Sequence, residues 1–428
     1  MKTSLFQRLA KLSVVATLAA VSSVSAQEVP VVNVGGTKIS LYGFLQANAV
    51  YENNGSNSGL FWTEKVPSRA QDGESSFAFN VNQTRIGFNL SGPQTEGGGA
   101  EVSGKFESDF ANNNNRNNNG VGSFRIRQSY GAVKFKDLGL TLLIGQTADL
   151  IGSMTAPTLN QAALKHSGSI GTRRPQIRLT EAIGPAEIAV AATDDRPALP
   201  NPGSTSTSTN SVMPAFQGSA KVKVPATWAG EKQNVEFVLS GHYGSEKPAL
   251  AGKLADTLLR YKYPSSWSGV ASLALPVARI VGLSGEFFIG QNLNNYSNGS
   301  IGLSGRPTID SIAGNFDKGI QSLGGWGAVT IKLPANLQLV GGMGMEAIDK
   351  DREKKNALTN AGLPPANPNP NKNMTIFGNV RYNVSPTAFI GLEYAYMKTD
   401  YAPSEDGAKI VDSGKLNRVE LAFNYAFK

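Results

Sequence analysis

Lys415-Leu416-Asn417-Arg418-Val419-Glu420-Leu421-Ala422-Phe423-Asn424-Tyr425-Ala426-Phe427-Lys428 alternates with a period of two. Val419, Leu421, Phe423, Tyr425 and Phe427 share one face, and Arg418, Glu420, Ala422, Asn424 and Ala426 share the other. Successive side chains of a strand point to opposite faces, whereas a helix repeats every ~3.6 residues, so this stretch is a strand. One face is aliphatic and aromatic; the other is polar or small. A soluble sandwich presents such faces, and so does a barrel with lipid outside and water inside. The rest of the chain separates the two.

The amino terminus carries a secretory signal. Lys2, Arg8 and Lys11 precede a short apolar run at 12–21, and Val24-Ser25-Ala26 is a small-residue cleavage site. Residues 1–26 are therefore expected to be removed, leaving a leader at 27–38 and one domain over 39–428. Loss of the three basic residues lowers the formal charge from +8 to +5. So modest an excess, with no dense basic helix, argues against a nucleic-acid partner. There is no cysteine, so disulfides do not close the structure. The two histidines, His166 and His242, sit in no metal-ligand spacing and beside no Ser/His/acid arrangement. Neither a metal, another cofactor nor an enzyme activity is expected.

No stretch beyond the signal is apolar and long enough for a transmembrane helix. A membrane barrel needs none, because only alternate residues of each strand meet lipid. Strand patterns occur at 39–51, 77–90, 100–110, 124–135, 140–147, 175–181, 186–193, 215–224, 233–243, 268–275, 280–291, 321–332, 336–347, 373–383, 387–397 and 416–427. The pattern at 124–135 changes phase in its later part, which predicts a bulge there. Residues 256–263 compete with 268–275 as the tenth strand.

The connections alternate strictly between long polar segments and tight turns rich in Gly or Pro. That alternation, with about sixteen strands of roughly 9–11 residues, predicts an all-β, closed antiparallel transmembrane β-barrel. Short turns face the periplasm, long loops face outward, and the first strand pairs with the last, because no backbone N–H or C=O can stay unpaired in hydrocarbon.

The signal, the hairpin alternation and the ending Tyr425-Ala426-Phe427 resemble a bacterial outer-membrane porin over essentially the whole mature chain. Three stretches are similar to the DcaP-like trimeric porins: Tyr42-Gly43-Phe44-Leu45, Gln83-Thr84-Arg85-Ile86-Gly87-Phe88 and Gly171-Thr172-Arg173-Arg174-Pro175-Gln176-Ile177-Arg178. The resemblance implies outer-membrane location, lipid as surroundings, a homotrimer, and passive diffusion of small hydrophilic solutes, favouring anions such as dicarboxylates. The alternative is a surface barrel serving as an adhesin or structural protein with a plugged lumen. The chain departs from the wider family in ending on Lys428 rather than on the aromatic residue. It also lacks Pro-Glu-Phe-Gly-Gly in the third long loop and a long heptad segment near the amino terminus.

A barrel this wide leaves a water-filled lumen. Residues 148–174, long and moderately apolar, are expected to fold inward and narrow it. Arg85, Lys105, Arg125, Arg127 and Arg178 fall opposite the apolar side chains of their strands, and Arg173 and Arg174 lie at the loop exit. These are the candidate pore-lining cations. Arginine keeps its charge and offers a planar fork to a carboxylate or phosphate. Glu101, Glu107, Asp109, Glu181 and Glu187 are the acids expected on the same wall. Weaker signals are a Ca²⁺-binding Asn-rich loop at 112–119 with Asp109, a pH-sensing His166, and an aromatic girdle containing Trp228, Trp267 and Trp326. Small outward residues Gly43, Ala47 and Ala49 suit close packing between subunits.

Overall fold

The structure is a computed structural model that describes residues 31–54, 75–94, 98–111, 124–159, 164–194, 213–228, 231–245, 265–293, 296, 309–310, 315–316, 321–348, 370–401 and 413–427. The signal segment, the Asn-rich loop and the competing strand at 256–263 lie outside them. The strands are β1 (Val31–Val34), β2 (Thr37–Glu52), β3 (Ser76–Asn80), β4 (Arg85–Gln94), β5 (Ala100–Asp109), β6 (Arg125–Phe135), β7 (Leu140–Ala148), β8 (Arg173–Ile183), β9 (Ala186–Thr193) and β10 (Ala215–Trp228). They continue as β11 (Glu231–Ser245), β12 (Ser265–Pro276), β13 (Val281–Gln291), β14 (Ile309–Asp310), β15 (Asn315–Phe316), β16 (Gln321–Lys332), β17 (Leu337–Ile348), β18 (Pro370–Ser385), β19 (Ala388–Tyr401) and β20 (Ser413–Phe427).

One sheet holds eighteen of these; β14 and β15 pair only with each other. Each stave pairs antiparallel with the next along the chain, and β20 returns to β2. Gly43 faces Phe427 and Glu52 faces Arg418 across that seam. With β3 and β4 counted as one stave and β1 as an appendage, the closed barrel has sixteen staves.

Three details differ from the sequence pattern. The stretch 77–90 is two strands, because the chain turns at 81–84, where the Thr84 N–H donates to the Val81 carbonyl at 3.0 Å. β3 then pairs with Asn48–Glu52 and β4 with Lys38–Phe44 of β2. The leader is not free: β1 folds back on Thr37–Ser40 and continues the line of β20 beyond Phe427. The bulge of β6 sits near its start, at Arg127, since Ser108 faces Ile126 and Glu107 faces Gln128. One extra residue shifts the inward phase from Arg125 and Arg127 to Gln128 and Tyr130, which is the phase change visible in the sequence.

The tenth stave is Ser265–Pro276, so the 268–275 pattern is the strand.

Burial is inverted relative to a soluble sheet. On β20, Leu421 is 50% exposed while Glu420 is 1% exposed. Phe77, Phe79, Ile144, Phe216, Phe287 and Leu392 are likewise exposed on the outer surface, and Glu52, Gln46, Asn48 and Asn424 are buried inside. Such a wall is stable where hydrocarbon covers the outside. Gly43 is required at the seam: a Cβ there would lie 2.2 Å from the Arg85 carbonyl oxygen and 2.8 Å from the Phe427 ring.

Candidate functional site

The segment between β7 and β8 folds into the barrel. Ile151, Ser169 and Ile170 are fully buried, and Leu159, Ala156 and Leu164 are nearly so. Its core partners are inward wall residues: Val270 and Phe288 for Ile151 and Ile170, and Trp326, Val340, Phe377 and Ala395 for Ala156 and Leu164. Trp326 is therefore an inward residue beneath the loop and not part of an outer girdle. At Gly168 the loop presses on the wall, with φ of 103° and an ideal Cβ only 2.1 Å from the Gly325 carbonyl oxygen. Only glycine fits that approach.

Wall carboxylates hold the loop backbone. Glu286 Oε1 accepts from the Ile170 N–H at 3.2 Å, and Glu393 Oε2 accepts from Leu159 N–H at 2.7 Å. Asn379 donates to the Pro157 carbonyl at 3.0 Å and to Glu393 at 2.9 Å. Ser167 Oγ and Thr375 Oγ1 are 2.8 Å apart. The loop thus covers the face formed by β13 and β16–β19 and hides its acids.

The loop roots are tied together by Asp149. Its Oδ2 accepts from the Thr172 N–H at 2.8 Å, its Oδ1 accepts from Gln217 Nε2 at 2.9 Å, and Arg174 Nε lies 2.8 Å from Oδ1. Arg174 is 7% exposed, so this cation serves the loop root and does not face the water of the lumen. Arg178 binds the same root, donating to the Ala148 carbonyl at 2.5 Å and to Gln176 at 2.9 Å.

The facing wall, β4 to β6, carries the other cations. Arg125 grips Asp109 with two bonds, Nε to Oδ1 at 2.8 Å and Nη2 to Oδ2 at 2.6 Å. Arg127 bridges Glu107 at 2.7 Å and Asp109 at 2.8 Å, and Arg85 Nη1 lies 3.6 Å from Glu107. The bulge lets Arg127 reach both acids. Arg173 lies within electrostatic reach of Arg127, Arg125 and Arg85. Lys105 Nζ rests 4.9 Å over the Tyr42 ring, while the Tyr42 hydroxyl donates to Glu107 at 3.0 Å.

The carboxylates lie beneath the guanidiniums. The Arg125 side chain is 31% exposed and that of Asp109 is 3%. The surface offered to water is accordingly cationic.

The remaining acids lie elsewhere. Glu101 pairs with Lys136 at 3.1 Å near the β6–β7 turn, and Glu187 pairs with Lys221 at 2.8 Å. Glu181 shares the outward phase of Ile177 and Leu179 on β8, so it leaves the lumenal set. Lys165, Arg381, Glu286 and Glu393 were not singled out from the sequence. Arg381 points inward on β18 and stacks 4.1 Å over Phe389. Its phase on β18 was readable; the loop contacts of the others were not.

Lys165 donates to the Gly171 and Ile170 carbonyls at 2.6 and 3.2 Å. Burial lowers its pKa from 10.5 to about 8, with the Glu286 charge acting in the opposite direction. Burial, aided by the Lys165 charge, lowers His166 from 6.5 to about 3, so His166 is neutral across the ordinary pH range and does not sense it.

The sequence profile of the DcaP outer membrane protein family matches residues 14–192. The match covers the amino-terminal part of the chain, through β9. The closed barrel with its inward loop has the porin fold. The chain is similar in structure to the outer membrane channel DcaP of Acinetobacter baumannii, with a TM-score of 0.69, 22% identity, and coverage of 94% of this chain and 100% of that one. The anion-selective porin from Comamonas acidovorans gives a TM-score of 0.58 at 12% identity, covering 91% of this chain and 100% of its own. Pseudomonas putida OprB gives 0.56 at 13% identity, covering 92% and 94%. No curated protein matches this chain.

Proposed function

We propose that this protein is an outer-membrane porin, a passive diffusion channel that favours small anions, dicarboxylates among them, and that it works as a homotrimer after removal of residues 1–26. One observation carries the anion preference. The loop covers Glu286 and Glu393 on one wall, while Arg85, Arg125, Arg127 and Arg173 gather on the other. Charge of one sign is thereby concentrated in a narrowed, low-dielectric passage, which raises local anion concentration and lowers the barrier to entry. Guanidiniums two residues apart on β6 match a solute bearing two carboxylates. The likeness in fold to an outer membrane channel from Acinetobacter baumannii and to an anion-selective porin from Comamonas acidovorans supports this reading. The outward Ala47 and Ala49 beside the seam support close contact between copies.

The test is the reversal potential of purified protein in a planar bilayer under a KCl gradient. A Cl⁻-preferring sign, with dicarboxylates slowing the Cl⁻ current, is expected. A K⁺-preferring sign rejects the anion reading. Bilayers that take up the protein but carry no current favour the plugged surface barrel.

A further inference from the structure

A second connection enters the lumen, and it grips the first. β13 ends at Gln291, and Asn292 follows with φ of 55°, a left-handed conformation that asparagine tolerates better than most residues. Asn292 is fully buried, and its amide donates to the Ser265 carbonyl at 3.1 Å. The turn sends Leu293 and Tyr296 inward, into one buried cluster with Ile151 and Ile170 of the constriction loop. The Tyr296 carbonyl accepts from the Gly171 N–H at 2.7 Å. Its ring lies between two partners, the His242 imidazole at 3.9 Å between centroids and the Arg174 guanidinium at 4.1 Å from the ring centre. His242 is fixed in turn by Ser268 at 2.6 Å and Ser266 at 3.1 Å.

We infer that Tyr296 is a positioning residue: it latches the constriction loop to the β11–β12 wall and so sets the width and steadiness of the pore. The inference rests on the porin reading for its consequence, but the latch itself is a matter of loop position. Arg174 already neutralises Asp149, which closes the loop root; stacking on Tyr296 ties that closed root to His242. A planar guanidinium lies flat on an aromatic face and keeps its edge N–H groups for other partners, which a compact ammonium cannot do. Without the ring, the loop keeps Asp149–Thr172, Asp149–Gln217 and its contacts with Glu286 and Glu393, but its root loses its side-chain tie to the β11–β12 wall.

The chain has no cysteine, so a single introduced thiol reports its own site. Ser169, fully buried beside Ile170, serves as reporter, and Ala422, fully buried on the inner face of β20, serves as control. Full-length Ser169→Cys and Ala422→Cys proteins are reacted in detergent with a charged, water-soluble thiol reagent, each with and without Tyr296→Ala or Tyr296→Phe. Tyr296→Ala is expected to speed labelling at 169 on the order of tenfold and leave 422 unchanged, because a local opening and not a global one is released. Tyr296→Phe keeps the stack and the backbone contact and is expected to label like the parent. Single-channel records of Tyr296→Ala should then show larger current fluctuations at an unchanged reversal potential. Equal rates at 169 in all three backgrounds overturn the latch. So does acceleration at both 169 and 422, which would make Tyr296 a general stabiliser. Because labelling needs no ion selectivity, a failed anion reading leaves this test intact.

Discussion

The backbone N–H of Leu159 donates to Oε2 of Glu393 across 2.7 Å, joining residues 234 positions apart. The bond does two things. It seats the constriction loop on β19, and it turns a carboxylate away from the water path. Ile170 and Glu286 repeat the arrangement on β13. Deleting residues 155–167 should therefore change more than the bore. Conductance should rise, and selectivity should move toward cations as Glu286 and Glu393 become wet. Single-channel conductance and reversal potential measured together check this; wider pores with unaltered selectivity would show that the hidden acids do not matter.

Arg125 and Arg127 hold Asp109 and Glu107 in place. The double change Arg125→Gln, Arg127→Gln removes two cations and leaves two carboxylates facing the lumen. The ratio of anion to cation permeability should fall on the order of tenfold, the scale on which focused fields change local ion concentration. Zero-current potentials under a KCl gradient read it directly. The single change Lys105→Gln, farther from these acids, should have a smaller effect.

Lys165 gives the loop a pH dependence. Its folded pKa of about 8 lies below the ordinary 10.5, so between those values the unfolded chain holds a proton that the folded chain lacks. Stability therefore rises with pH through that window, and below about pH 8 the full cost of a buried ammonium is present. Over the same window the lumen loses one positive charge. Anion preference should weaken as pH climbs past 8, and Lys165→Met should flatten both curves. Titration of heat-modifiable electrophoretic mobility and of reversal potential tests the pair.

At the seam, Arg418 lies 3.0 Å from Glu52 and 3.0 Å from Glu420, all three side chains almost wholly buried. Arg418→Met leaves two buried carboxylates without their cation. Removing one partner of such a cluster costs on the order of 3–5 kcal/mol. The expected result is a lower temperature of barrel unfolding, by the same mobility shift, with reversal potential little changed. A triple change to apolar residues of similar size at 52, 418 and 420 should recover much of the loss.

The barrel was legible because its signal is periodic. In β20, outward Leu421 and Phe423 and inward Arg418 and Glu420 follow from alternation alone, and the long–short order of connections needs only Gly and Pro to be read. What alternation misses is a turn inside one apparent run: the break at 81–84 splits β3 from β4 with nothing in the pattern to show it. The bulge of β6 did register as a phase change within 124–135, but its position at Arg127, near the start of the strand, did not. Trp326 was misread for a related reason: an aromatic ring suits a membrane interface by type, but its phase on β16 turns it inward beneath Leu164. The cations of β4 to β6 followed from phase. Arg174 did not, because its role depends on Asp149, at the far end of the same connection, and on Tyr296, from the connection after β13. Glu286 and Glu393 were unreadable as loop anchors, since their partners are backbone N–H groups more than a hundred residues away.

The β2–β20 seam also has a kinetic side. Asn48 bonds to Glu420 and Gln46 to Asn424, pairs 372 and 378 positions apart, so no closed barrel exists until the last stave arrives. Every earlier intermediate is an open sheet with two bare edges and an oily outer face, the form most prone to pairing with its neighbours. Contacts this distant in sequence form slowly, because the connecting chain must first be brought into register. A chain so built must be kept from collapsing until it reaches hydrocarbon, and it carries no thiol that oxidation during that wait could cross-link into the wrong loop.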